Sequence, residues 1–236
     1  MIFKAISSDF LKIRGKGIWF LVFLGPIGLI AMQSLNYGLR YDYLIQQYSD
    51  DLWGALIDNI LVFVPIALYL GITVVCSLLA NIEHHMSSWK QLLALPISRS
   101  TVFWAKFIVC ALLLSLSCLL LAAGTVTLGL LLGFGVEALP AADIASLSIY
   151  PYLASMPVLA LMLWLCMTYR NQTFAVFLGV VMAVFSVVSI SEWLPINWPL
   201  LSYQGPGQEL FAGAGLLGGL LILAIGHIHF GRKDVD

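Results

Sequence analysis

Six stretches of this chain run for at least 21 residues without a single Asp, Glu, Lys or Arg: 17–39, 59–82, 107–136, 144–169, 171–191 and 210–231. A helix needs about 20 mostly apolar residues to cross a hydrocarbon core of about 30 Å, and all six stretches meet that length. Together they hold 146 of the 236 residues, which leaves no room for a separate soluble domain. Composition agrees: 61% of the residues are hydrophobic and 10% are charged, where a soluble domain carries roughly 25% charged residues. Mean hydropathy is +0.99. A soluble enzyme, a nucleic-acid binder and a disordered regulator are excluded. The sequence predicts an all-α polytopic membrane protein with six transmembrane helices.

The charges that remain are sorted by side. With a cytoplasmic N-terminus, Lys4, Lys12, Arg14, Lys16, Lys90, Arg99, Lys106, Arg170, Arg232 and Lys233 fall on the inner face, and only Arg40 falls outside. Eight acids lie outside and four inside (Asp9, Glu83, Asp234 and Asp236), so the faces carry +6 and −7. That asymmetry places both termini in the cytoplasm. The first apolar stretch is too long for a cleaved signal peptide, and no small-x-small site follows it. Cys76, Cys110, Cys118 and Cys166 all lie within spans and predict no disulfide framework.

Residues 2–14 have the pattern of a helix lying on the membrane. At 100° per residue, Ile2, Phe3, Ile6, Phe10 and Ile13 share about 100° of arc, with Lys4, Ser8, Lys12 and Lys16 opposite. Such a helix buries its apolar face at headgroup depth while its lysines meet anionic lipid. Two outer segments, 40–58 and 192–209, are rich in aromatic residues. The roles expected there are interfacial anchoring or an outer vestibule formed by Tyr43, Asp50, Asp51, Trp53, Trp193 and Trp198, whose acids would attract cationic amphiphiles. In the last span, Gly215 and Gly219 have GxxxG spacing, which serves internal packing and dimerisation equally well.

Catalytic patterns are missing. No span holds an ionisable Asp, Glu, Lys or Arg of the kind that ion-driven transporters use. No GxxxxGK[ST], HExxH or GxSxG occurs. His84 and His85 point about 100° apart on a helix, and His227 and His229 about 200°, so neither pair predicts a metal site. Thr73, Ser77, Ser115, Ser117, Thr125 and Thr127 are polar enough to face a pathway, but ordinary helix hydrogen bonding accounts for them. The chain is expected to be no enzyme and to bind no cofactor directly.

The segment 83–106 reads EHHMSSWKQLLALPISRSTVFWAK. Met86, Trp89, Leu92, Leu93 and Pro96 recur at about one helical turn, with Lys90 and Gln91 on the other side. A loop that only set topology would need the basic residues but not the Trp, the Leu pair or the Pro. A short amphipathic helix here would dock into a groove of a cytosolic partner.

The order Glu83, Trp89-Lys90, Leu92-Leu93, Leu95-Pro96-Ile97, Ser98-Arg99 and Ala105-Lys106 resembles the first cytoplasmic loop of ABC-2 type permeases, above all the short permeases of lantibiotic-immunity and bacitracin-resistance exporters. The resemblance implies one ABC-2 type transmembrane domain over residues 1–236, with 1–16 as its elbow helix (Phe3, Lys4, Phe10 and Lys12 at the membrane surface) and 83–99 as a coupling-helix loop. It also implies polar contacts with a separate ATPase from Glu83, Lys90 and Arg99, apolar anchors at Trp89 and Leu93, and a helix stop at Pro96. ATP and Mg would then sit on that cytosolic ATPase, in two copies by the family's architecture, with a second permease chain, identical or paralogous, completing the exporter in a bacterial plasma membrane. The cargo implied is an amphipathic peptide antibiotic. Export of another drug, a lipid or a polysaccharide, or a non-pumping binding or sensor subunit, are the alternatives.

Overall fold

The computed structural model describes residues 2–85, 98–188, 191–204 and 207–232. Over these residues the chain is all-helical: α1 (Ile2–Ile13), α2 (Ile18–Gln47), α3 (Leu52–Leu61), α4 (Val64–His85), α5 (Arg99–Leu131), α6 (Ala141–Ala154), α7 (Met156–Thr168), α8 (Thr173–Val188), α9 (Trp198–Gln204) and α10 (Gln208–Arg232). Four helices, α2, α4, α5 and α10, are each long and apolar enough to cross a membrane. A fifth crossing is made if α6 and α7, bent by 45° at their junction, count as one broken span. The stretch 171–191 yields the 16-residue α8, which falls short of a span by length alone.

The sequence stretches and the helices differ at instructive places. Residues 59–61 belong to the short α3, not to the following span, because α3 ends at Leu61 and α4 starts at Val64. α2 runs on past the charge-free stretch to Gln47, with a non-helical residue at Arg40 (φ −131°, ψ 31°). The 33 residues of α5 amount to about 50 Å of helix, well beyond the hydrocarbon thickness.

The break between α6 and α7 falls at Ser155, between Pro151 and Pro157. Pro157 lacks the N–H that would bond Leu153 O, and its ring crowds that carbonyl. The chain turns there, and the Ser155 N–H bonds Pro151 O and Tyr152 O at 3.0 and 3.2 Å. α10 packs along this bend. A Cβ on Gly215 would stand 2.6 Å from Leu153 O, and one on Gly219 would stand 2.6 Å from the Met156 Cβ. The GxxxG face is therefore used inside the chain, against the bend.

The helices pack as α2 with α4 and α5, α4 with α7 and α8, and α10 with α6, α7 and α9, while α1 lies along α5. Large apolar side chains face outward over long distances, among them Leu119, Phe177 and Leu217 at 64–71% exposure. In water such a surface would aggregate; against lipid it is matched. One end of the molecule gathers Ile13, Phe103, Phe230 and the start of α5, and the other gathers Tyr37, Trp53, Phe134 and Leu200.

Gly219→Leu is expected to push α10 off the bend and to destabilise the protein by about 1–3 kcal/mol through overpacking. Leu217→Ala, on the outward face, should leave stability nearly unchanged. Thermal unfolding midpoints in one detergent compare the two.

Candidate functional site

Helical spacing brings Asp9 and Lys12, one turn apart on α1, to the same side of that helix. Glu83 stands in the last turn of α4, where the chain leaves for residues 86–97. Lys106 lies two turns into α5, where the chain has returned. The four side chains meet. Lys106 Nζ donates to Asp9 Oδ1 at 2.6 Å and to Glu83 Oε1 at 2.7 Å, and Lys12 Nζ donates to the same Glu83 Oε1 at 2.8 Å.

Burial makes this cluster costly to break. The side chains of Lys106, Glu83 and Asp9 are 1%, 0% and 7% exposed, and only Lys12, at 32%, reaches the surface. Two cations and two carboxylates sum to zero charge, the condition under which burial is tolerable. Glu83 Oε2 is buried as well and has no hydrogen-bond partner among the described residues. Burial pushes the Asp9 carboxyl above its ordinary value of 3.8; the charge and hydrogen bond of Lys106 pull it back only in part, and Glu83 adds to the rise.

Further contacts fix both roots of the 86–97 segment. His84 Nε2 lies 3.1 Å from Cys166 O in α7. Ser98 caps α5 by accepting the Thr101 N–H at 3.2 Å, and Ser100 Oγ meets His227 Nε2 of α10 at 2.7 Å. Residues at the end of α4 and the start of α5 are thus bonded to α1, α7 and α10.

The residues expected at sites fall as follows. Glu83 is turned inward to the lysines and presents no exposed surface. Trp89, Lys90, Leu93 and Pro96 lie outside the described residues. Arg99 opens α5 and is half-buried. On α1, Phe3 and Lys4 are exposed, Phe10 stacks on Trp19 with ring centroids 6.2 Å apart, and Lys12 holds Glu83. At the opposite end Tyr43, Asp50 and Trp193 are exposed. Asp51 is exposed but engaged, its Oδ1 capping α3 at the Gly54 N–H (2.8 Å). Trp53 is no surface group: at 3% exposure it packs edge-on against Phe134 and donates to Gly135 O at 3.3 Å. The Trp198 indole donates to Glu192 O at 2.9 Å and so pins its own loop. Burial, then Asp143, Asp58 and Asp51 in turn, push the Tyr203 hydroxyl up to about 12.

Among the polar span residues, Thr73, Ser115, Thr125 and Thr127 bond carbonyls of their own helices. Ser117 lines an apolar groove of about 430 Å³ between α2, α4 and α5, with Leu24, Pro26, Met32, Ile66 and Leu121. All four cysteines are free.

Sequence reasoning missed Asp9 and Lys106 as a pair. A signal was present. On the helical wheel of residues 2–14, Asp9 falls beside Ile2 and Ile13, at the edge of the apolar arc, where an unpaired carboxylate has no reason to be.

Long apolar helices, a lipid-matched exterior and charge confined to the ends define a multi-pass membrane protein. The chain matches the family described as ABC-2 family transporter protein over residues 5–186, more than half its length. It belongs to that family. The resemblance carried by the 83–106 residues is thereby shown at the level of the ABC-2 type permease. Nothing matches among the curated proteins or among the solved structures. Permeases of this family are membrane transport subunits that normally work with a cytosolic ATPase.

Lys106→Met leaves two buried carboxylates to Lys12 alone and is expected to cost on the order of 3 kcal/mol, as for other broken buried pairs. Lys106→Met/Asp9→Asn restores charge balance and should recover much of that loss, as read from thermal unfolding midpoints. The pH dependence has a definite sign. Because the folded Asp9 carboxyl takes its proton at higher pH than the unfolded one, its contribution to stability is largest below the ordinary value of 3.8 and is lost as pH rises through the raised one. The stability of wild type relative to Asp9→Asn should therefore increase as pH is lowered from neutral, measured as paired midpoints across pH.

Proposed function

We propose that this chain is the permease half of an ATP-driven exporter that moves a cationic, amphipathic peptide of the lantibiotic or bacitracin kind out of the membrane. Residues 83–99 form the loop that seats in a cytosolic ATPase, with Trp89 and Leu93 as apolar anchors and Lys90 and Arg99 as polar contacts. Glu83 acts one step back, holding the root of that loop. α1 is the elbow helix at the inner headgroups, both termini are cytoplasmic, and the six spans comprise α2, α4, α5, the broken α6–α7 pair, α8 and α10. A second permease chain and two ATPase copies complete the assembly in a bacterial plasma membrane, with ATP and Mg on the ATPase.

The observation that carries this reading is that both helix ends flanking residues 86–97 are anchored, Glu83 to Lys106 and Ser100 to His227, in a chain of the ABC-2 family. An ATPase stroke delivered there reaches α4 and α5 directly. The apolar groove between α2, α4 and α5 suits the hydrophobic part of an amphipathic cargo, and the exposed carboxylates Asp51, Asp58 and Asp143 suit its cationic part.

The test is co-purification with a cytosolic ABC ATPase expressed together with this chain. Wild type should retain it, and Trp89→Ala/Leu93→Ala should lose at least about 1.4 kcal/mol of binding, a tenfold drop in affinity, while still extracting from membranes as a folded protein. An ATPase retained equally by both removes the coupling role from 83–99. Peptide binding without any ATPase dependence would make the chain a sensor subunit instead.

A further inference from the structure

Granted the coupling role proposed for residues 83–99, on which it rests, we infer that Lys106 is a positioning residue that makes the elbow helix part of the moving unit. One ammonium group bonds the first helix of the chain, through Asp9, and the root of the loop, through Glu83. Lys12 closes the ring from α1 to the same Glu83 oxygen. Three elements far apart in sequence, α1, the end of α4 and the start of α5, therefore share one buried, charge-neutral joint.

The joint transmits displacement because it has no soft alternative. Moving Glu83 away from Lys106 would leave charges buried and unpaired, and water has little access to three of the four groups. A displacement of the loop root by one or two ångströms, the usual scale of helix shifts in such transitions, is therefore followed by α1 rather than absorbed at the cluster. α1 also carries the exposed Phe3 and Leu11, 82% and 67% exposed. In a membrane, a moving α1 drags a surface seated at the lipid boundary. The ATPase stroke then acts on inner-leaflet lipid contacts as well as on the spans.

The experiment uses the full complex of permease and partner ATPase in nanodiscs, with hydrogen exchange read by mass spectrometry. Peptides covering residues 2–13 and 83–99 are compared between the nucleotide-free complex and the complex trapped with Mg-ATP and vanadate. In wild type both peptides should change their exchange on trapping. In Asp9→Leu/Lys12→Met, which cuts both ionic ties of α1 while keeping the buried Lys106–Glu83 pair and the net charge, the loop peptide should still respond, while the response of 2–13 falls by on the order of tenfold. A purely structural joint would alter exchange at 2–13 equally in both nucleotide states, not its dependence on the state. An equal response of 2–13 in wild type and variant overturns the inference. So does a wild-type complex in which the loop responds and 2–13 does not, a result that needs no variant at all. Absence of any loop response in wild type would instead overturn the coupling role itself.

Discussion

A lysine ammonium buried at 1% exposure sets the terms for one whole end of this protein. In a low-dielectric interior such a charge persists only with carboxylates in contact, and each carboxylate must itself be brought there by a helix. Asp9 comes on α1 and Glu83 on α4, so the need to neutralise Lys106 dictates how two other helices are set against α5. Ordinary apolar packing then completes the assembly, with Ile13 and Phe103 fully buried nearby. Apolar contacts are tolerant of sliding; the ionic joint is not, and it gives this end a register that hydrophobic burial alone would leave loose.

The opposite end is organised by aromatic rings and carbonyls. Phe134 receives Tyr37 and Trp53 edge-on, and Tyr41 and Trp53 donate to Leu132 O and Gly135 O in the turn after α5. Tyr69 does the same for the loop before α9, donating to Ile196 O at 2.9 Å. Side-chain donors thereby satisfy the carbonyls that irregular backbone leaves open near a membrane. The two ends differ in character: charge joins helices at one, and neutral hydrogen bonds shape loops at the other.

Much of this was legible in the sequence, because membrane insertion imposes a simple rule on composition. Charge-free runs marked the long helices, and the ABC-2 family could be read from Trp89, Leu93, Pro96 and their neighbours in a single loop. Details that depend on where a helix turns were not legible. The bend at Ser155 depends on two prolines acting together with the glycines of α10, which lie sixty residues away in sequence. Trp53 was expected as a surface aromatic because period and composition do not say which face of a ten-residue helix is covered; Phe134 covers it. Asp9 and Lys106 were counted as isolated charges, since a pairing across 97 positions leaves no local pattern.

The glycine seam of α10 has a consequence for what that helix can offer outward. Gly215 and Gly219 are pressed against the backbone of the α6–α7 bend, and Gly218 faces Pro157. Small residues are what allow two membrane helices to approach backbone to backbone, and here that capacity is already spent within one chain. The outward face of α10 instead presents Leu217, Leu220 and Leu221, each more than half exposed. Contacts built from such side chains compete directly with acyl chains of the same chemistry, so any helix packed against this face would hold to it with a strength set by the composition of the bilayer.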